Sequence, residues 1–183
     1  MRLSKALYFG DFVAAPVAIA VLAVVALSGR SLLSACLWLV AIGAGLVAWT
    51  LVEYVIHRWV YHRIPFFEKF HDAHHEEPLS LIGAPSFIGI VAILVLFFLP
   101  FLAAGLPFAG GFASGVLVGY CIYMLVHHAS HHWELRPGTY LYAARLRHMA
   151  HHYHGIEGNY GVITSLWDHV FSTFVRRRRA RSG

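Results

Sequence analysis

Apolar residues come in four long runs along this chain, and polar residues gather between and after them. The runs cover residues 12–27, 32–52, 79–106 and 108–126. Each is close to the ~20 residues that an α-helix needs to cross the hydrocarbon core of a bilayer. Ser28-Gly29-Arg30 separates the first two, Glu53 is the first charge after the second, and only Pro85 and Pro100 interrupt the third. No charged residue stands between Glu77 and Glu134, a stretch that a water-exposed fold would hardly tolerate. The pattern predicts an all-α integral membrane protein with four transmembrane helices, arranged as two hairpins. The polar segments, 57–78 and everything after His127, are predicted to form a helical cap at one end.

Composition agrees with that reading. Of the 183 residues 58% are hydrophobic, the mean hydropathy is +0.62, and one domain spanning 1–183 is the expectation. With four spans, the N-terminus and both polar segments share a side, which then carries 13 of the 14 Lys and Arg residues; only Arg30 lies opposite. Basic residues favour the cytoplasmic face, so both termini and the cap are predicted to be cytoplasmic. The tail at 175–183, with Arg176 to Arg179 and Arg181, is read as a topology signal near anionic lipid rather than a nucleic-acid contact. Arg2 and Lys5 give the first run a basic start, as in a signal peptide. Its length, and the charge asymmetry its removal would spoil, keep it as a span. Cys36 and Cys121 both fall inside predicted spans, where each is expected as a small apolar side chain rather than half of a disulfide.

The chemistry lies in the histidines. All 14 fall within 57–75 and 127–169. Two sets repeat the spacing His-x2-His-His: His71, His74, His75 and His148, His151, His152. Residues three or four apart share a helix face, so each triad is expected to point its imidazoles one way. His127 and His131 form a further i, i+4 pair; His128 and His132 form another, rotated by about 100°. Only one of these pairs can face a common centre, and His127 with His131 is the expected one. His128, His132 and His154 are kept as alternates. His57 and His62 fit less neatly, because five residues turn a regular helix by about 140°. They either bracket a pair of ions or sit on a helix that loosens before Pro65.

Neutral imidazole is a common metal ligand. Ten convergent histidines (His57, His62, His71, His74, His75, His127, His131, His148, His151 and His152) exceed the four ligands of a structural zinc. They suit two ions with about five each. Two redox-active ions at a membrane surface point to dioxygen chemistry on a lipid. Glu53, four residues before His57, and Asp168 are the carboxylates expected to orient the rings. Asn159 and Tyr160, in a Gly-flanked turn, line the site or form the turn.

These residues carry a resemblance. Trp49-Thr50-Leu51-Val52-Glu53-Tyr54-Val55-Ile56-His57-Arg58 with His62 resembles the entry motif of fatty acid 2-hydroxylases, in the fatty acid hydroxylase and sterol desaturase superfamily. Phe70-His71-Asp72-Ala73-His74-His75 is similar to the second motif, and Gly119-Tyr120 to Tyr123 with His127 and His131 to the third. Tyr140-Leu141-Tyr142, His148 to Tyr153, Asn159-Tyr160-Gly161-Val162 and Trp167 to Thr173 resemble the fourth. The likeness covers about 49–174. It implies a dinuclear iron enzyme in a four-helix membrane bundle with a cytoplasmic cap, with the same ten histidines as ligands. Zinc would also fit these nitrogens and outranks ferrous iron in affinity. The implied reaction inserts one oxygen atom from dioxygen into an acyl C–H bond of a lipid. One departure stands out: where the family has Asp, three residues before His127, this chain has Met124.

The substrate chain is expected to enter from the bilayer between the third and fourth spans, past Phe87, Phe97, Phe98, Tyr120 and Tyr123. No flavin or nicotinamide fingerprint occurs, so electrons are expected from a separate protein, a cytochrome b-type protein or a ferredoxin with its reductase. Rival readings on the same scaffold are a sterol desaturase or C-methyl oxidase and a carotenoid hydroxylase. Readings of another class are a metal transporter, which should place its ligands mid-membrane, and a bis-histidine haem protein using His57 and His127.

Overall fold

The computed structural model describes residues 2–83, 87–153 and 157–175. Its order is α1 (Lys5–Phe9), α2 (Asp11–Leu27), α3 (Leu32–Val55), a π-helical turn (Ile56–Tyr61), α4 (Pro65–Glu76), α5 (Ile88–Ile93), a second π turn (Leu94–Phe98), a 3-10 turn (Pro100–Ala104), α6 (Leu106–His132), α7 (Tyr140–Tyr153) and α8 (Leu166–Val170). Among the described residues there is no strand, only an isolated antiparallel bridge between Arg2 and Ile82. The basic tail at 176–183 and His154 lie outside the described residues.

Three helical stretches are long and apolar enough to cross a membrane: Lys5–Leu27, Leu32–Tyr61 and Leu106–His132. Their outward positions stay apolar. Val13, Val17, Val21 and Val24 on α2, and Leu33, Leu39, Val40 and Val47 on α3, are all exposed, as lipid-facing residues would be. The third apolar run departs from the expected single helix. It folds as Ile88–Ala104, 17 residues in three pieces, about 25 Å long at 1.5 Å per residue. Pro100 lacks the N–H that would continue an α-helix, and Gly105, at φ 97°, ends the segment.

The core lies where α3 and α6 meet. Gly45 on α3 and Gly111 and Gly115 on α6 let the two backbones approach closely, as small residues do between membrane helices. A Cβ built on Gly115 would overlap the Ile42 carbonyl, and one on Gly111 the Trp38 carbonyl. α2 packs on α6 as well, so α6 is the central helix and buries Ala113, Val116 and Leu117 completely. This matters for function, because α6 ends in His127 and His131 while α3 runs on into His57. Gly115→Leu is expected to force the helices apart at a cost of about 1–3 kcal/mol. A lowered thermal midpoint in detergent would show it; an unchanged midpoint would mean that α3 and α6 are not clamped here.

Candidate metal centre

Four elements bring the histidines together, and the first turns on a change of helical pitch. The backbone over Ile56–Tyr61 is π-helical, a geometry that adds one residue per turn and often occurs at functional sites. That widening swings His62 back over His57. Their rings stack at 5.5 Å with an interplanar angle of 22°, so the loosened-helix alternative is the one the structure adopts. α4 starts at Pro65 and carries His71, His74 and His75. α6 supplies His127 and His131, and α7 supplies His148, His151 and His152.

The ten rings form two groups. One holds His57, His62, His71, His75 and His151; the other holds His74, His127, His131, His148 and His152. Within each group the ligand nitrogens all lie within 4.8 Å of one another. Each triad is therefore divided, contrary to the expectation that its three rings point one way. On α4 the i, i+4 pair His71 and His75 joins the first group and His74 the second. On α7 the pair His148 and His152 joins the second and His151 the first. An i+4 step turns the helix by only about 40°, whereas an i+3 step moves about 60° the other way. The two groups touch where His75 stacks on His152 at 4.0 Å and 11°.

The protonation pattern tests whether a cation fits. His57 Nδ1–H donates to the Tyr160 carbonyl at 2.6 Å, and His151 Nδ1–H to the Gly158 carbonyl at 2.9 Å. A carbonyl can only accept, so the proton of each neutral ring is on Nδ1 and its Nε2 carries a lone pair. Those two Nε2 atoms face each other at 3.0 Å. Bare lone pairs at that distance repel, and a metal ion removes the conflict. In the second group His131 and His148 approach to 2.8 Å between Nε2 atoms. There both nitrogens of His74, and Nδ1 of His148 and His152, are buried without a hydrogen-bond partner. An all-nitrogen set of this kind suits iron, zinc and their neighbours. Glu68-Lys69-Phe70-His71 has the Glu-x-x-His spacing of carboxylate-bridged sites, yet Glu68 belongs to neither group.

Burial keeps the rings neutral, as ligation requires. Desolvation, reinforced by neighbouring imidazoles, pushes His74 and His75 down to about 4 and His151 down to about 3. It also lowers His71, His148 and His152. An unfolded chain binds these protons near pH 6.5. As pH falls from 6.5 towards 4 the unfolded state takes up protons that the folded state refuses, so stability is lost across that window. The thermal midpoint of metal-free protein should fall steadily between pH 6.5 and 4. A flat profile would place the rings in water.

The orienting groups differ from the expected ones. Glu53 does not hold His57; its Oε1 accepts the Ile163 N–H at 2.9 Å, pinning the returning C-terminal segment to α3. Asp168, fully buried, accepts the N–H groups of Tyr160 and Gly161, each at 2.9 Å, and the Thr173 hydroxyl at 2.8 Å. It reaches His57 only through the Tyr160 backbone. Asn159 exchanges two hydrogen bonds with the Val175 backbone and adopts φ 55°, so it builds the turn rather than lining the site. His128 and His132 join neither group. They stack on each other at 4.3 Å, with Tyr8 beside His128.

A cavity of about 560 Å³ opens beside the histidines and touches both groups, through His71 of the first and His74 and His127 of the second. Tyr120, Tyr123 and Met124 line it, whereas Phe87, Phe97 and Phe98 are not among its lining residues. Phe97 and Phe98 pack instead against the core cluster that α2, α3, α5 and α6 share. Phe66, Phe67 and Phe70 of α4 supply the aromatic wall instead, and Asp11 from the start of α2 joins the lining. Asp11 had no signal beyond its place at the edge of an apolar run, where an acidic residue reads as a helix-end charge.

Comparisons with known proteins bear on the same residues. The family profile described as "Fatty acid hydroxylase" matches residues 42–173. Fatty acid 2-hydroxylase of Rattus norvegicus is 33% identical over 147 residues, covering 72% of this chain and 38% of that protein. Ceramide very long chain fatty acid hydroxylase scs7 of Schizosaccharomyces pombe is 32% identical over 142 residues, covering 70% and 40%. Dihydroceramide fatty acyl 2-hydroxylase FAH2 of Arabidopsis thaliana is 30% identical over 139 residues, covering 70% and 58%. The chain thus spans about two fifths of the length of the animal and yeast relatives. A solved structure of full-length scs7p, with only the hydroxylase domain visible, is similar at TM-score 0.73 and 27% identity, covering 92% of this chain and 67% of that one. The matched stretch contains all ten gathered histidines, from the π turn to α7, and with them this chain belongs to the fatty acid hydroxylase family.

Proposed function

We propose that this chain is a membrane-bound hydroxylase of lipid acyl chains, with two iron ions held by its two groups of five histidines. The observation that carries the reading is the cavity itself: an apolar space of about 560 Å³ whose wall includes imidazoles of both groups. A ligand extended against α4 lies beside both sets of nitrogens at once. When bound, the two ions would supply activation of dioxygen and oxidation of an unactivated C–H bond.

The chain's own residues do the rest. Tyr160 and Gly158 hold the Nδ1 protons of His57 and His151, leaving each Nε2 lone pair free for an ion. Asp168 keeps the Tyr160 carbonyl in place. Phe66, Phe67 and Phe70 offer aromatic surface to an acyl chain and keep water from the reacting carbon. The bias of Lys and Arg puts the histidines and both termini on the cytoplasmic side. Since α4 lies at the histidine end and α6 starts at the other, the segment between them makes a short fourth crossing. One domain contains the whole arrangement, and the electrons come from a separate donor protein.

Anaerobic metal analysis with Mössbauer spectroscopy, then admission of ¹⁸O₂ and lipid mass spectrometry, tests the reading. Two irons per chain and a singly labelled hydroxyacyl lipid are expected. A single ion per chain, or label found only in a sterol or carotenoid, would overturn it.

A further inference from the structure

Asp11 is an acidic residue that neither the histidine groups nor the apolar packing employs. It lies outside the stretch matched by the family profile, 42–173, yet it is buried in the wall of the cavity. Its Oδ1 accepts the Phe87 N–H at 2.7 Å and its Oδ2 accepts the Tyr120 hydroxyl at 2.6 Å. Phe87 stands at φ 73°, a left-handed conformation that costs an L-residue of its size energy. The hydrogen bond to Asp11 holds it there.

The cavity therefore has two unlike walls. α4 contributes Phe66, Phe67 and Phe70, which present only aromatic surface. α1, α2 and α6 contribute Tyr8, Asp11 and Tyr120, and Asp11 is the one carboxylate among the described lining residues, whose other polar side chains are Tyr61, Tyr123, His71, His74 and His127. Each Asp11 oxygen has already accepted one donor and keeps further lone-pair capacity. An amide N–H or hydroxyl can use that capacity. A carboxylate has no proton to offer, and forcing oxygen lone pairs together away from water is unfavourable. Sites of this kind discriminate by what they repel as much as by what they bind.

We propose that Asp11, framed by Tyr120 and Phe87, is a specificity-determining residue that admits acyl lipids with a hydrogen-bond-donating polar end and excludes free carboxylates. The proposal rests on the cavity being the acyl-chain site. The polar end of the lipid sits at Asp11, the chain lies along the aromatic wall of α4, and the histidines flank the carbons between.

The test offers the full chain, in nanodiscs, equal amounts of palmitamide and palmitate, which differ only at the polar end. Native mass spectrometry reads the bound ratio, corrected against empty nanodiscs, so no turnover is needed. The wild type is expected to favour palmitamide by tenfold or more. Asp11→Asn, which places an amide N–H in the wall, should bring the ratio towards one. Tyr120→Phe, which frees Oδ2 of its donor, should raise it. An unchanged ratio in Asp11→Asn, with palmitamide still bound, overturns the role of Asp11 and leaves the cavity reading standing. If neither lipid binds the wild type, the cavity reading falls and this inference falls with it. If Asp11→Asn does not fold, a lowered ratio in Tyr120→Phe is the overturning result.

Discussion

His57→Ala is expected to reduce turnover by about a thousandfold or more, equivalent to roughly 4 kcal/mol in the barrier, and to leave the first histidine group without its metal ion. The ring makes close approaches to two others of its group, at 3.2 Å to His71 and 3.0 Å to His151. Its removal takes away one of five nitrogen donors. It also strands the buried Tyr160 carbonyl, whose partner is the His57 Nδ1–H. His132→Ala is the control, because His132 is exposed and belongs to neither group. Metal stoichiometry by mass spectrometry and turnover, measured on the same preparations, separate the two. A His57→Ala protein that keeps two ions and normal turnover would remove His57 from the site.

The second large effect comes from a residue that touches no imidazole. Asp168→Ala deletes the acceptor of three donors: the N–H groups of Tyr160 and Gly161 and the Thr173 hydroxyl. Thr173 in turn pairs with the Tyr54 hydroxyl at 2.9 Å, so the loss spreads into α3. The Tyr160 carbonyl should drift away from His57 Nδ1, and metal affinity should fall by about 10–100-fold, as for other groups that orient ligands. Asp168→Asn keeps the shape and one good acceptor, so it should lose less. Competition for metal with a chelator gives the affinity and thermal melting the stability. Equal affinity in wild type and Asp168→Ala, with only the melting point lowered, would make Asp168 a purely architectural residue.

Residue order alone reveals the all-helical membrane class and which ten histidines gather. Imidazoles have few other uses at such spacings, and apolar runs of bilayer length seldom serve any purpose but crossing one. How the triads divide between two groups is not legible there. Spacing tells which rings lie on one face, but His74 and His151 sit far enough round their helices to join the opposite group. The five-residue gap from His57 to His62 is unreadable on a regular helix and becomes simple once the backbone widens into a π turn. The third apolar run fails to form one long helix for a related reason. Hydropathy counts apolar residues, while Pro100 and the changes of pitch decide whether they make one straight rod. The true orienting groups of His57 and His151 are backbone carbonyls, which every residue owns and no side-chain pattern can single out. Glu53 and Asp168 stand out in the chain as carboxylates near the rings. Their use is one step further back, on the N–H groups of the segment that carries those carbonyls.

The division of each triad has a consequence for assembly. α4 and α7 each reach into both histidine groups, and the stacked His75 and His152 form a common partition between them. If each group holds an ion, neither helix can shift to accommodate one without disturbing the berth of the other. On the proposed two-ion reading, a nascent chain that has captured a single ion would already have drawn the struts of the empty berth into register, so the halves would mature as a couple rather than in succession.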